Sequence, residues 1–149
     1  MRIAAIRLSW FRGAATNDEL KTEGKSVATY GSNGSGKSSF VDGLECVISG
    51  KVQHLAHEYS GKNQEKGLLN THRQPDENAA VEVVFDDGTS VVSAIAGNGT
   101  QQRAGTGLSH LAGWDYRKTV LRQDEVAEFV RSTKGQKYWC LSSIGLRRF

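Results

Sequence analysis

The chain has 149 residues, 38% hydrophobic and 23% charged, with a formal net charge of +3. That length supports one modest core, and no run of 18 apolar residues provides a transmembrane helix. The basic excess is slight and holds no block longer than pairs such as Arg117-Lys118 and Arg147-Arg148, so charge alone does not nominate nucleic acid as a partner. In chain order, residues 2–11 alternate as a strand with Ile6, Leu8 and Trp10 on one face. Arg7 interrupts what would otherwise resemble a signal-peptide core. Residues 13–25 are polar and glycine-punctuated, a loop or short hairpin. Val27-Ala28-Thr29-Tyr30 is a short β-favouring run leading into a glycine-rich loop over 31–38. Phe40, Val41, Leu44, Val47 and Ile48 then recur at helical spacing, and Gly50 stops the helix. Residues 51–79 lack periodicity and read as a long surface excursion. Val81, Val83 and Phe85, then Asp87-Gly88, then Val91 to Ile95 predict a hairpin over 80–96. Residues 97–113 hold five of the seventeen glycines and read as another loop. Thr119-Val120-Leu121 reads as a short strand, and Asp124 caps a helix carrying Val126, Phe129 and Val130. Thr133 with Gln136 fits a capping box for a last helix through Ile144, stopped by Gly145.

Residues 31–38, Gly-Ser-Asn-Gly-Ser-Gly-Lys-Ser, fit the phosphate-loop pattern G-x-x-x-x-G-K-[ST]. Glycines let the backbone curl so that successive N–H groups converge on phosphate oxygens. The helix that follows presents the positive end of its dipole to the same anion. In such a loop Lys37 reaches the β- and γ-phosphates and the Ser38 hydroxyl coordinates Mg²⁺. A strand before and a helix after supply the context that the motif requires, so the residues predict a nucleoside triphosphate site.

Phosphoryl transfer also needs a second acidic residue near the metal. Val83-Val84-Phe85-Asp86-Asp87 has the outline of an apolar strand ending in Asp, a Walker B element. Glu82 interrupts it, however, whereas a buried parallel strand is close to continuously apolar. Asp86-Asp87-Gly88-Thr89 also leads straight into a second alternating strand. The sequence therefore favours a hairpin tip here and half a catalytic site.

The order of features resembles the N-terminal half-head of SMC-like ATPases, the group that includes RecF, RecN and the SMC proteins. Ile6-Arg7-Leu8-Ser9-Trp10-Phe11-Arg12 is similar to their opening strand followed by Phe-Arg. Gly31-Ser32-Asn33-Gly34-Ser35-Gly36-Lys37-Ser38-Ser39 matches every specified position of their loop G-x-N-G-x-G-K-[ST]-[ST]. Phe40-Val41-Asp42-Gly43-Leu44-Glu45 resembles the start of their first helix, and Val120-Leu121-Arg122-Gln123-Asp124-Glu125 looks like their Q-loop. The resemblance covers nearly the whole of 1–149. It implies an α/β fold of the P-loop NTPase type: a half-head with a mixed β-sheet, an antiparallel hairpin and few helices. In that group a coiled coil follows, and then a C-terminal half with the signature motif and Walker B. Since this sequence stops at Phe149, the resemblance implies a truncated product or one part of a split protein.

The resemblance also implies roles. The amides of Asn33, Gly34, Ser35, Gly36, Lys37, Ser38 and Ser39 hold the phosphates of ATP, and Ser38 and Gln123 attend Mg²⁺. Gln123 also senses the γ-phosphate and places water, while Arg12 touches the phosphates or, more simply, is a surface cation. Partners so implied are a C-terminal half-head, a second head that closes over ATP, and DNA in repair, chromosome maintenance or defence; no membrane is implied. The preference for adenine is likewise the family's. From the residues alone, His54, His57, His72 and His110 lack ligand spacing and read as solvent-exposed loop residues. Trp10, Trp114 and Trp139 read as core or interface anchors. Cys46 and Cys140 read as buried or semi-buried thiols of a cytoplasmic protein. Two alternatives stand beside this reading: a small P-loop metabolite kinase using Asp86, with Arg117 and Arg122 in a lid, or a truncated, non-catalytic nucleotide-binding module.

Overall fold

The computed structural model describes residues 1–53, 55, 65–97, 100–114 and 131. The chain divides into two compact units, Met1–Ala112 and Gly113–Phe149. The first holds a five-stranded sheet with one long helix. Its strands are β1 (Ile3–Ser9), β2 (Asp18–Lys21), β3 (Ala79–Phe85), β4 (Ser90–Ile95) and β5 (Gln101–Ala104), and its helix is α1 (Lys37–Ser49). The sheet order is β2-β1-β3-β4-β5, and all four pairings are antiparallel. This fits the α/β class read from the sequence, with few helices and the predicted β3–β4 hairpin in place.

Alternation decides which face is buried. Leu8 opposes Val81 and Ile6 opposes Val83 across the β1–β3 ladder, and all four are buried. Val91 and Ile95 of β4 join them, with Phe85 at the end of β3. On the opposite face Arg7 bridges Glu19 at 2.8 Å and Glu82 at 2.9 Å. Those pairs are half-exposed, and water screens ion pairs of this kind so that they contribute little. Burying each valine or leucine side chain is worth roughly 1.5–3 kcal/mol, so the apolar ladder sets the sheet and the charges follow it.

Helix α1 packs on β1, β3 and β4 through a face that differs from the apolar stripe read from sequence. The buried positions are Ser39, Asp42, Gly43, Glu45, Cys46, Val47 and Ile48; Phe40 and Leu44 are half-buried and Val41 is exposed. Gly43 explains the rotation. A Cβ there would lie 2.8 Å from Leu8 Cδ2 and 3.1 Å from Val81 Cγ1. The backbone of the helix thus rests on the sheet, at a distance only glycine allows. The helix ends as predicted at Gly50, whose left-handed conformation lets its N–H reach Cys46 O at 2.9 Å. Arg103 of β5 completes the cap, donating to Val47 O at 3.2 Å and Ile48 O at 3.1 Å, a cation at the negative end of the helix.

Several expectations are corrected. Val27–Tyr30 forms no strand: it pairs with nothing among the described residues, Tyr30 is 97% exposed, and Val27 is 46% exposed. Both edges of the sheet belong to other segments, so β-propensity here has no ladder to join. β1 ends at Ser9, because Trp10 takes φ 50° and shifts the alternation. Trp10 is therefore half-buried, while Phe11 takes the fully buried place. Over 13–25, read as a loop or short hairpin, the hairpin is what forms, with β2 as the partner of β1. Within 51–79, Val52, Leu55 and Leu68 are buried and a 3-10 turn spans Glu65–Leu68, so these parts of the excursion are packed, whereas most of 71–78 is exposed as read from sequence. Residues 97–113 hold strand β5 and a 3-10 turn, Leu108–Gly113, as well as loop. Two of the glycines there serve contact: a Cβ on Gly105 would lie 2.1 Å from Ser90 O, and one on Gly107 2.8 Å from Phe85 Cε2. The expected strand at 119–121, the helices between Asp124 and Ile144, and His54, His57, Trp139 and Cys140 lie outside the described residues. His72 is exposed as read from sequence, and Trp114 is half-buried.

At the β3–β4 tip the Asp87 carboxylate accepts from the Thr89 hydroxyl at 2.6 Å, the Thr89 N–H at 2.9 Å and His110 Nε2 at 2.8 Å. His110 is thus half-buried and engaged, its ring edge-on to Phe85 with centroids 5.2 Å apart. The Thr89 hydroxyl, then its N–H, hold the Asp87 pKa down to about 2, with His110 adding to them. The burial of Cys46 pushes its thiol up to about 11, and its Sγ lies 3.8 Å from Ser93 Oγ.

Two outcomes follow from this packing. Gly43→Val should lower the unfolding free energy by roughly 1–3 kcal/mol through overpacking, outweighing a helix-propensity gain below ~1 kcal/mol. A urea midpoint equal to the parent's would contradict the close approach. The folded pKa of Asp87 lies below the unfolded one, so what the tip contributes to stability is complete above the unfolded value and lost as pH falls toward about 2. Thr89→Val should raise that pKa toward the ordinary carboxylate value, read by carboxyl-carbon NMR titration; identical midpoints in both proteins would refute the assignment.

Candidate phosphate-binding site

The loop of residues 31–36 turns on glycines at positive φ: Gly31 at 154°, Gly34 at 83° and Gly36 at 80°. Gly36 is the N-cap of α1 and supplies no side-chain cap, and the first turn carries no acidic residue. The positive end of a 13-residue helix is therefore presented without an internal anion to neutralise it. A cleft of about 370 Å³ lies there, lined by Arg12, Gly13, Gly34, Gly36, Lys37, Ser38, Ser39, Gly67, Leu69 and Thr71. This donor set fits a polyphosphate: left-handed glycines, an uncapped helix start, one lysine, one arginine and adjacent hydroxyls.

Of the residues picked out by sequence, Arg12, Gly34, Gly36, Lys37, Ser38 and Ser39 come together in the cleft. Asn33 and Ser35 lie on the loop outside its lining. The Lys37 ammonium donates to Gly31 O at 2.8 Å, Ser32 O at 2.7 Å and Ser35 Oγ at 3.2 Å, bracing the loop across its mouth. Ser38 is exposed at the helix start. The Ser39 side chain is buried and turned to the scaffold, its Oγ accepting from Gly13 N–H at 3.2 Å, while its own N–H donates to Gly36 O at 2.9 Å. Gln123 lies outside the described residues.

Arg12 is more than a surface cation. Its φ is 51°, its N–H donates to Leu68 O at 2.9 Å, and its Nε lies 2.9 Å from Oδ2 of the fully buried Asp42. Asp86 stands elsewhere. β3 pairs Ala80 with Ser9 at the cleft end of β1 and Phe85 with Ile3 at the other end, a strand length of roughly 20 Å away. There Asp86 accepts from the Arg2 N–H at 3.0 Å and returns its own N–H to Arg2 O.

Sequence reasoning missed Gly13, Asp42 and the wall formed by Gly67, Leu69 and Thr71. Asp42 carried a signal, a carboxylate three residues after Ser39 and so on one helical face with it. The 65–71 wall had none, because a bridge between Phe11 and Leu69 and a hydrogen bond from Asn70 N–H to Trp10 O, both non-local, hold it.

No family model matches the chain. It is 34% identical over 89 residues to the chromosome partition protein Smc of Delftia acidovorans and to structural maintenance of chromosomes protein 3 of Caenorhabditis elegans. Each match covers 58% of this chain and 7% of the relative, so the chain spans a small part of the curated relatives it matches. Among solved structures, a chain from work on ATP-driven dimerization and DNA-stimulated activation of SMC ATPases matches with a TM-score of 0.76 at 15% identity. That match covers 97% of this chain and 99% of the other. In sequence, then, the chain is similar to a stretch of these SMC proteins, and in fold it is similar to the solved SMC ATPase chain.

Proposed function

We propose that the chain binds Mg·ATP as the N-terminal nucleotide-binding lobe of an SMC-type ATPase, acting on DNA in repair, chromosome maintenance or DNA-directed defence. The observation that carries this is the uncapped start of α1 opening, with Lys37, Ser38 and Arg12, into one cleft. When bound, ATP would exchange phosphate oxygens for the loop carbonyls that now accept from Lys37, and the Ser38 hydroxyl would take a place on Mg²⁺. Gln123, from the Q-loop-like run, would sit at the metal and the γ-phosphate. Hydrolysis by this lobe awaits the acidic residue of a Walker B strand, which Asp86 at its hairpin tip does not supply.

Two features support completion by a C-terminal half. Val27–Tyr30 is exposed beside the loop and pairs with no strand among the described residues, and Val41 lies exposed on α1, with Phe40 and Leu44 only half-buried. A parallel strand and its covering helices would bury both. Two such heads closing over nucleotide, as in the ATP-driven dimerization for which the solved SMC neighbour was studied, complete the proposed assembly.

Lys37→Ala should abolish calorimetric binding of Mg·ATP while leaving the chain folded, the lost loop hydrogen bonds lowering the unfolding free energy by no more than about 1–2 kcal/mol. Affinity equal to the parent's would rule the site out. Gln123→Ala should leave binding nearly intact but cut turnover by at least about tenfold once a C-terminal half is supplied. Unchanged turnover in that reconstituted head would count against the role of Gln123.

A further inference from the structure

The bend that carries Arg12 is gripped from beneath by α1. Ser39 and Asp42, three residues apart on its buried face, engage Gly13 N–H at 3.2 Å and Arg12 Nε at 2.9 Å. The Asp42 side chain is 0% exposed and that of Arg12 is 25% exposed, so the pair spans from the core to the floor of the cleft. We propose that Asp42 is a positioning residue for the phosphate site, holding the Arg12 guanidinium in the cleft so that it meets the polyphosphate of a bound nucleotide. This rests on the nucleotide-binding reading of the same cleft.

A free arginine side chain loses roughly 1.5–2 kcal/mol of rotamer entropy when it is ordered. Arg12 is already ordered in the folded chain by a left-handed backbone, by its N–H on Leu68 O and by the carboxylate at its Nε. An anion arriving in the cleft then meets a fixed cation and does not bear that cost. A buried carboxylate, in turn, is tolerable only beside a cation, which draws Arg12 inward from water.

Electrostatics makes the proposal sharply testable, because Coulomb's law alone gives the opposite sign. A carboxylate next to a polyanion site repels the ligand, so neutralising it should tighten binding. If Asp42 positions Arg12, the near-isosteric Asp42→Asn instead weakens Mg·ATP binding by roughly tenfold, the scale of one lost charge-assisted hydrogen bond. Calorimetry on the parent, Asp42→Asn, Arg12→Gln and the double variant decides. Adding Asp42→Asn to Arg12→Gln should bring no further loss, since the group it positions is gone. Equal or tighter binding by Asp42→Asn, or the same loss in both backgrounds, overturns the proposal. A parent chain that binds no Mg·ATP overturns the nucleotide reading and this proposal with it, whereas a binding parent with an indifferent Asp42→Asn removes this proposal alone. Should Asp42→Asn fail to fold, the Arg12 Nε–Hε resonance of the parent serves: protected from solvent exchange and shifted by Mg·ATP if the proposal holds, and unmoved by the nucleotide if it is wrong.

Discussion

The contact between the α1 backbone and the sheet at Gly43 is the constraint on which the rest depends. With Leu8 and Val81 directly beneath it, the helix sits as close to β1 and β3 as main chain can. That closeness sets the rotation of the helix, and the rotation places Ser39 and Asp42 against the bend that follows β1. The same seating brings the last carbonyls of α1 to Arg103 on the outer strand β5. The helix is thereby held at both ends and along its middle, and its first turn is a fixed donor array.

This arrangement explains why polar residues lie in the core. Asp42 and Glu45 are fully buried, off the apolar stripe of α1 that sequence periodicity picks out, and Glu45 Oε1 accepts from Gln53 N–H at 2.6 Å. Burying a carboxylate is costly unless it is paired, so each marks a place where the helix holds a loop as well as packing on the sheet. The apolar residues displaced from the buried face, Phe40, Val41 and Leu44, turn outward together. α1 therefore has two working faces: a polar and small one toward the antiparallel sheet, and an apolar one away from it.

The two ends of the sheet divide the labour. Where β1 ends, positive-φ residues Trp10 and Arg12 bend the chain toward the phosphate loop, and the 65–71 segment closes the cleft wall. At the other end, Asp87, Thr89 and His110 tie the hairpin tip together, and Asp86 is tied to the first residues of β1. Antiparallel pairing is what separates them, since the strand that leaves the cleft at Ala80 reaches Asp86 only after crossing the whole sheet. An acidic residue that follows an apolar run is thus not necessarily near the phosphate.

The sequence by itself determined the features whose physics is local. The spacing of Gly31, Gly34 and Gly36 ahead of Lys37 and Ser38 dictates a tight glycine turn into a helix start, Gly50 dictates a helix stop, and Asp87-Gly88 between alternating valines dictates a hairpin. Only the tertiary structure decided which face of α1 is buried, that Val27–Tyr30 stays unpaired, that β5 forms within a glycine-rich stretch, and that Asp42 grips Arg12. Those outcomes turn on contacts between residues far apart in the chain. Periodicity reports how apolar a face is, and only the neighbour across the sheet settles whether that face or a glycine comes closest.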